Sequence, residues 1–238
     1  ELQVYKKKII KISDKKIVKK IKLKSKILSN KHKNLYQNRR ILCQILRKKI
    51  NSNFIGVSID TRTIKKGNLF LAIKGKVNDG NKFAKKAIKK GAGCVITSLP
   101  GKKNKKIIYV KDTILFLNRF AKLKRENSFA KIISITGSAG KTSLKDLIKD
   151  LLQNFGKTHY SPKSFNNHLG VPISLSNLSY DDKFAVLEVG MSKFGEIRNL
   201  TKLIRPDIGI ITNIGEAHIE NFKNIAGIAT AKSEIIEN

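Results

Sequence analysis

"IISITGSAGKTSLKDLI", residues 132–148, reads as a short apolar strand, a glycine-bearing loop and an amphipathic helix. Gly137 and Gly140 relieve the steric limits on a tight loop, so that backbone N–H groups can point at phosphate oxygens. Lys141 would neutralise phosphate charge, and Thr142 would offer its hydroxyl to Mg2+. Leu144, Leu147, Ile148, Leu151 and Leu152 recur at i, i+3, i+4, i+7 and i+8. This spacing predicts a helix packed on a core, with its N-terminus facing the loop as anion binding requires. The eight-residue phosphate-loop pattern would want a glycine at position 135, where this chain has Ile135. A bare Gly-Lys-Thr could be a structural turn; placed between a strand and an amphipathic helix, it is expected to be a phosphate site of an atypical kind.

Downstream, "FAVLEVG" (184–190) and "DIGIITNIG" (207–215) are near-continuously apolar, as is "KIISITG" (131–137). Such runs suit parallel strands covered on both faces. They alternate with helical patterns over 142–153, "GEIRNLTKLI" (195–204, closed by Pro206) and "NIAGIATAKSEIIEN" (224–238). The alternation predicts a P-loop-type, mostly parallel, doubly wound α/β unit over 129–238, with its sites at the carboxyl ends of the strands. Only three strands of that unit are evident before Asn238, so it is expected to be cut off.

Upstream, residues 36–128 predict a small α/β domain. A helix over 37–49 is expected from Leu42, Ile45, Leu46 and Ile50. Strand-like runs follow at "FIGVSIDTR" (54–62), "GNLFLAIKG" (67–75), "AGCVIT" (92–97) and "KIIYV" (106–110). Phe83, Ala84, Ala87 and Ile88 make one helical face closed by Gly91, and Asp112 is placed to cap a helix from Thr113. Residues 1–35 are a lysine-rich leader; its "KIKLKSKIL" (20–28) alternates like a strand but receives no role.

The formal charge of +33, from 50 Lys+Arg against 17 Asp+Glu, raises nucleic-acid binding as a function. Lysine rather than arginine supplies most of the excess, and aromatics are 7% with no Trp. Neither bidentate phosphate contacts nor a stacking platform is favoured, so a solvated basic surface is the better reading and no nucleic-acid partner is expected. Cys43 and Cys94 have no zinc-site spacing, and Cys94 reads as a small core residue. No apolar run approaches the roughly 18 residues of a membrane span, and no signal peptide is visible. A cytoplasmic setting is expected.

Three further residues bear on chemistry. Glu188 ends an apolar strand, where a carboxylate either marks the terminus or holds Mg2+. His218 lies just past the third strand; alone it would read as an exposed loop histidine. Lys232 falls on the apolar stripe of Ile225, Ile228, Ala229 and Ile236, where an ammonium must snorkel, pair or change its chemistry.

Five blocks taken in order resemble the Mur ligase family: residues 58–83, "ITGSAGKTSLKD" (135–146), "SFNNHLGVPISL" (164–175), residues 187–222 and "AKSEII" (231–236). The similarity covers residues 36–238, and the family's shorter threonine-glycine-x-x-glycine-lysine-threonine loop removes the objection at Ile135. The blocks around Asn167 and Met191 favour the branch that joins D-alanyl-D-alanine to UDP-N-acetylmuramoyl-tripeptide. The resemblance implies an ATP-dependent amide ligase of peptidoglycan precursor synthesis, with ATP and Mg2+ as cofactors and those two molecules as substrates. It implies an N-terminal UDP-sugar domain, a central ATPase and a C-terminal domain that this chain lacks, so the chain as it stands is expected not to turn over. A monomer is expected.

Carried over residue by residue, Gly137, Ser138, Ala139, Gly140, Lys141, Thr142 and Ser143 would bind the ATP phosphates. Thr142 and Glu188 would hold a first Mg2+ and His218 a second, and Lys232 matches a lysine carbamylated in several members. Lys141, His218 and Lys232 are the catalytic set. Thr61, Arg62, Lys76, Val77 and Asn78 would contact the UDP moiety, although Asn78-Asp79-Gly80 is also an ordinary turn. Asn166 and Asn167 would line the muramoyl-peptide site, with His168 structural. The alternatives are another Mur or folylpolyglutamate-type amide ligase and, far behind, a nucleic-acid-binding P-loop protein.

Overall fold

The computed structural model describes residues 15–75, 77–100 and 104–238. Helix α1 spans Lys15–Leu46, and four short parallel strands follow: β1 (Val57–Ser58), β2 (Leu69–Leu71), β3 (Cys94–Thr97) and β4 (Ile107–Tyr109). They stand side by side in chain order, with α2 (Ala84–Lys89) between β2 and β3 and α3 (Thr113–Glu126) after β4. Successive side chains along a strand point to opposite faces, and this sheet uses both. Leu69, Leu71, Cys94 and Ile96 pack with Ile41 and Leu42 of α1 and with Phe116, Leu117 and Phe120 of α3. Phe70, Ala72 and Val95 pack with Ala87 of α2 on the other face.

The second sheet is also wholly parallel, in the order β6-β7-β5-β8, with β5 at Lys131–Thr136, β6 at Thr158–Tyr160, β7 at Phe184–Glu188 and β8 at Ile208–Ile211. Helices α4 (Lys141–Gln153), α5 (Gly170–Ser176) and α6 (Glu196–Ile204) make the crossovers, and α7 (Ile225–Ser233) follows β8. From β5 the chain fills one side of the sheet through β6 and β7, then returns to the other side as β8. This reversal opens a crevice at the carboxyl ends of β5, β7 and β8. The fold is the α/β class expected from the sequence.

The two sheets are joined through α3 and α5. Ile173 of α5 sits in the cluster of the first sheet, and Ala121 of α3 in that of the second. Asn177, just past α5, extends the edge of β1: its Oδ1 accepts the Val57 N–H at 2.9 Å and its Nδ2 donates to the Val57 carbonyl at 3.0 Å. Between α1 and α3, the buried ammonium of Lys124 donates to Gln37 Oε1 at 2.8 Å and Asn38 Oδ1 at 3.1 Å. Both acceptors are neutral, and burial pulls its pKa down to about 8.

Several sequence expectations are corrected. The stretch "KIKLKSKIL" lies inside α1 rather than in a strand, because lysine, leucine and isoleucine there also satisfy a helix; α1 ends at Leu46, not 49. Strand β6 and helix α5 were not expected: β6 is only three residues long, and α5 begins at a glycine with Pro172 in its first turn. The predicted leucine stripe of α4 is only partly covered, for Leu147 and Leu151 are 68% and 59% exposed while Leu144, Ile148 and Leu152 are half-buried. Strand β8 is a sheet edge with Ile208 53% exposed, so it is not covered on both faces. Cys94 is a core residue as expected, and burial pushes its thiol up to about 12.

Asp112 caps α3 by accepting the N–H groups of Ile114 at 2.8 Å and Leu115 at 2.9 Å. Asp112→Ala should lower unfolding free energy by about 1 kcal/mol in a denaturant titration, the usual cost of losing an N-cap.

Candidate active site

The loop between β5 and α4 turns on two glycines. Gly140 has φ 79° and precedes the first residue of α4, where the left-handed conformation suits glycine. Gly137 has φ 147°, and a Cβ there would lie 1.8 Å from Thr212 Oγ1. Lys141 folds back on the loop, its Nζ donating to the carbonyl of Gly137 at 2.6 Å. Leu144 N–H bonds to the Gly140 carbonyl, so α4 is properly begun and its first N–H groups face the loop.

A cleft of about 520 Å3 opens at the carboxyl ends of the strands, lined by Gly137, Ser138 and Lys141 of the loop. Asn166, Asn167, His218 and Lys232 line it as well, although they lie far apart in the chain. Ala139, Gly140, Thr142 and Ser143 complete the loop without being lining residues. Asn167 Oδ1 accepts the N–H groups of Leu169 at 3.1 Å and Gly170 at 2.9 Å, fixing the start of α5, and its amide nitrogen has no acceptor among the described residues. The Asn166 carbonyl accepts the Gly190 N–H at 2.7 Å, tying this loop to the end of β7. His168, expected to be structural, is exposed and lines the cleft. His218 adopts φ 65°, a strained conformation for a residue with a Cβ, and half of its side chain is exposed.

Glu188 sits beneath the cleft with its side chain 1% exposed. Lys145 Nζ lies 3.1 Å from Glu188 Oε1, yet its alignment makes no hydrogen bond, and both carboxylate oxygens are without a hydrogen-bond partner. The same ammonium donates to the Lys163 carbonyl at 3.1 Å. A buried carboxylate with two oxygens that lack a hydrogen-bond partner fits a divalent cation that takes its remaining ligands from phosphate and water. Among the described residues no group of three or more His, Cys, Asp and Glu forms a cation site by itself.

Lys232 is 2% exposed, and no hydrogen bond or ion pair reaches its Nζ among the described residues. Burial, and then the neighbouring Lys141 charge, lower its pKa to about 8. The expected stripe is only partly covered, for Ile225 and Ile236 are 46% and 74% exposed while Ile228, Ala231 and Ile235 are buried. Lys232 nonetheless ends at the cleft without a partner among the described residues, its proton held less tightly than an ordinary lysine's. Two residues on, the buried Glu234 accepts the N–H groups of Gly195 at 2.8 Å and Arg198 at 3.0 Å, which clamps the Lys232 helix to the start of α6.

Thr61, Arg62 and Asn78 line a second cavity, of about 470 Å3, in the first sheet's unit. Thr61 is buried, while Arg62 makes a bidentate pair with Asp60 (2.7 Å at the shorter contact), and that hydrogen bond holds the Asp60 carboxyl below its usual range. Val77 is 92% exposed and Lys76 lies outside the described residues. Asp79 also serves the turn, accepting the Asn81 N–H at 2.9 Å.

Lys145, Glu196, Asn199, Thr212 and Asn213 were missed by the sequence reading. Lys145 was hidden as one more lysine on a lysine-rich helix; Asn213, beside the apolar end of β8, carried a signal in its position after a parallel strand.

The fold and the cleft define an α/β protein of the P-loop type, with a glycine loop opening onto one cleft and a second, separate cavity in the first sheet's unit. The Mur ligase middle domain matches residues 135–238, and the catalytic domain of the Mur ligase family matches residues 53–126. The chain belongs to the Mur ligase family. It is similar to the UDP-N-acetylmuramoyl-tripeptide–D-alanyl-D-alanine ligase of Rickettsia prowazekii, with 44% identity over 184 residues, 76% of this chain and 41% of that protein. The Bacillus subtilis ligase of the same name is 39% identical, over 76% of this chain and 40% of its own length. The chain therefore spans about two fifths of the length of the curated relatives it matches. Among solved structures, MurF from Acinetobacter baumannii superposes with TM-score 0.71 at 32% identity, over 85% of this chain and 45% of that one. MurF ligase from Thermotoga maritima in complex with ADP gives TM-score 0.65 at 31% identity, over 76% and 43%. No helix among the described residues is long and apolar enough to cross a membrane.

Two outcomes are expected. Lys145→Met leaves the Glu188 charge buried without its cation and should cost about 3–5 kcal/mol by denaturant titration, with Lys145→Met/Glu188→Gln recovering part of the loss. For Lys232, the folded pKa of about 8 lies below the unfolded value of 10.5, so the unfolded chain binds more protons between those values. Stability should rise with pH from about 8 to 10.5, and Lys232→Met should remove part of that slope; Lys124, shifted in the same direction, retains the rest. A pH series of melting temperatures checks the sign.

Proposed function

We propose that the chain carries the UDP-sugar-binding and ATP-binding portions of a UDP-N-acetylmuramoyl-tripeptide–D-alanyl-D-alanine ligase, residues 36–128 forming the first and 129–238 the second. The observation that supports this best is the convergence of Lys141, Asn166, Asn167, His218 and Lys232 on one cleft at the switch point of the second sheet. The relatives named above share that enzyme name, and one solved neighbour holds ADP. A cytoplasmic enzyme of cell-wall precursor synthesis follows from the same reading.

In this reading the terminal carboxylate of the muramoyl tripeptide takes the γ-phosphoryl group of ATP. The amine of D-alanyl-D-alanine then attacks the acyl phosphate, and the tetrahedral adduct collapses to an amide and phosphate. Charge neutralisation dominates such chemistry, because negative charge gathers first on the transferring phosphoryl group and then on the tetrahedral oxygen. Lys141, released from the Gly137 carbonyl, would meet the β- and γ-phosphates at the start of α4. A first Mg2+ held by Thr142 and Glu188 and a second by His218 would supply further positive charge. Lys232, whose proton is held less tightly than an ordinary lysine's, would once deprotonated take up carbon dioxide as a carbamate with release of a proton, turning a buried cation into an anionic ligand. Asn166 and Asn167 would hold the peptide, with Asn167 donating from its amide nitrogen. Thr61, Arg62 and Asn78 would grip the uridine diphosphate in the second cavity, and the family resemblance assigns Lys76 and Val77 to the same ligand.

The test is titration calorimetry of the 238-residue chain with ADP and Mg2+. Binding is expected, with Lys141→Ala weakening it by about tenfold or more, the size of one lost charge-assisted contact. In protein carrying the remainder of the enzyme, phosphate release should depend on D-alanyl-D-alanine; dependence on a free diamino acid instead would overturn the assignment.

A further inference from the structure

We infer that Asn213 is the positioning residue of the phosphate loop: its side chain holds the Ser138 and Ala139 N–H groups permanently, so the anion is left to the loop's other donors, chiefly those of Gly140 to Ser143. The inference rests on the nucleotide-binding reading and sharpens it, because it divides a loop that would otherwise be taken as one cradle.

Asn213 Oδ1 accepts the Ser138 N–H at 3.1 Å and the Ala139 N–H at 2.9 Å. Its main-chain carbonyl shares the Ser138 N–H at 3.1 Å. Thr212 Oγ1 donates to the Ala139 carbonyl at 2.6 Å, and Ser138 Oγ both donates to the Gly215 carbonyl and accepts the Gly215 N–H, each at 2.9 Å. The segment after β8 therefore satisfies the polar atoms of Ser138 and Ala139 almost completely. The N–H groups of Gly137, Gly140, Lys141, Thr142 and Ser143 have no protein acceptor among the described residues, and Leu144 is the first to bond back, to Gly140. Apart from Gly137, the free donors are the last loop residue and the first turn of α4, where the helix dipole also favours an anion.

A neutral amide suits this post. It offers one oxygen to two donors, as a carboxylate would, without setting a negative charge beside the phosphates. Asn213 thus keeps the loop in its phosphate-ready shape before any ligand arrives, which lowers the ordering cost of binding.

The experiment combines amide-resolved NMR with calorimetry on the wild-type chain, Asn213→Ala and Asn213→Asp, using ADP with Mg2+ as the probe. In the wild type, Ser138 and Ala139 amides should be protected from hydrogen exchange both with and without ADP, and ADP should shift the amides of Gly140 to Ser143. Asn213→Ala should lose that protection and bind ADP roughly 10- to 100-fold more weakly, the scale of two lost hydrogen bonds. Asn213→Asp should keep the protection yet bind weakly through charge repulsion, which serves as the decisive variant if Asn213→Ala does not fold. Undiminished ADP binding by Asn213→Ala, or loss of Ser138 and Ala139 protection when wild type binds ADP, would overturn the inference. Failure of the wild type itself to bind ADP would instead overturn the nucleotide reading beneath it.

Discussion

A Cβ at position 137 would lie 1.8 Å from Thr212 Oγ1, and the shape of the cleft depends on the absence of that carbon. Strands β5 and β8 pair in parallel, with Thr136 opposite Ile211, so the segments that follow them leave the sheet in the same direction and must share space. Glycine lets the backbones close to hydrogen-bonding distance. Once they close, Thr212 and Asn213 brace Ser138 and Ala139, the chain past β8 is fixed, and His218 is carried over the loop toward Lys141. Parallel pairing alone would bring these ends near one another; the missing side chain lets them interlock.

The cleft collects positive charge with little to balance it. Among the described residues Lys141 has only carbonyl acceptors and Lys232 has no partner; the buried carboxylate Glu188 is set against Lys145, and Glu196, which lines the cleft, accepts the N–H groups of Ser192 and Lys193. Two ammonium groups in a partly dry cleft repel each other, which is part of why the Lys232 proton is held weakly. Such a cleft is poorly satisfied alone and well suited to ligands that bring several negative charges. The overall charge of +33 is a separate matter, since it is spread over the surface rather than focused on this site.

What was legible in the sequence were conflicts with local rules. Two glycines beside a lysine and a threonine at a strand–helix junction, a carboxylate at the end of an apolar run and a lysine on an apolar stripe each broke a pattern, and all lie at or beneath the cleft. What was not legible obeyed local rules and acted at a distance. Lys145 looks like any helical lysine, and only the packing of α4 over β7 sets it against Glu188. Asn213 has no unusual spacing, and its partners lie 74 and 75 residues earlier. Periodicity also overstated burial: the α4 leucines recur at helical spacing, but spacing says which side chains share a face and not whether anything lies over it.

By itself, the sequence determined the α/β class, the parallel strands, the phosphate loop and its helix, because backbone sterics and side-chain periodicity act within a few residues. Tertiary structure decided which of the lysines are buried, that Thr61, Arg62 and Asn78 share one cavity while the loop, Asn166, Asn167, His218 and Lys232 share another, and that Asn213 occupies two of the loop's donors. Those outcomes depend on strand order and on close approach between distant segments. A dehydrated charge or a hydrogen bond across the sheet exists only once the strands are in place.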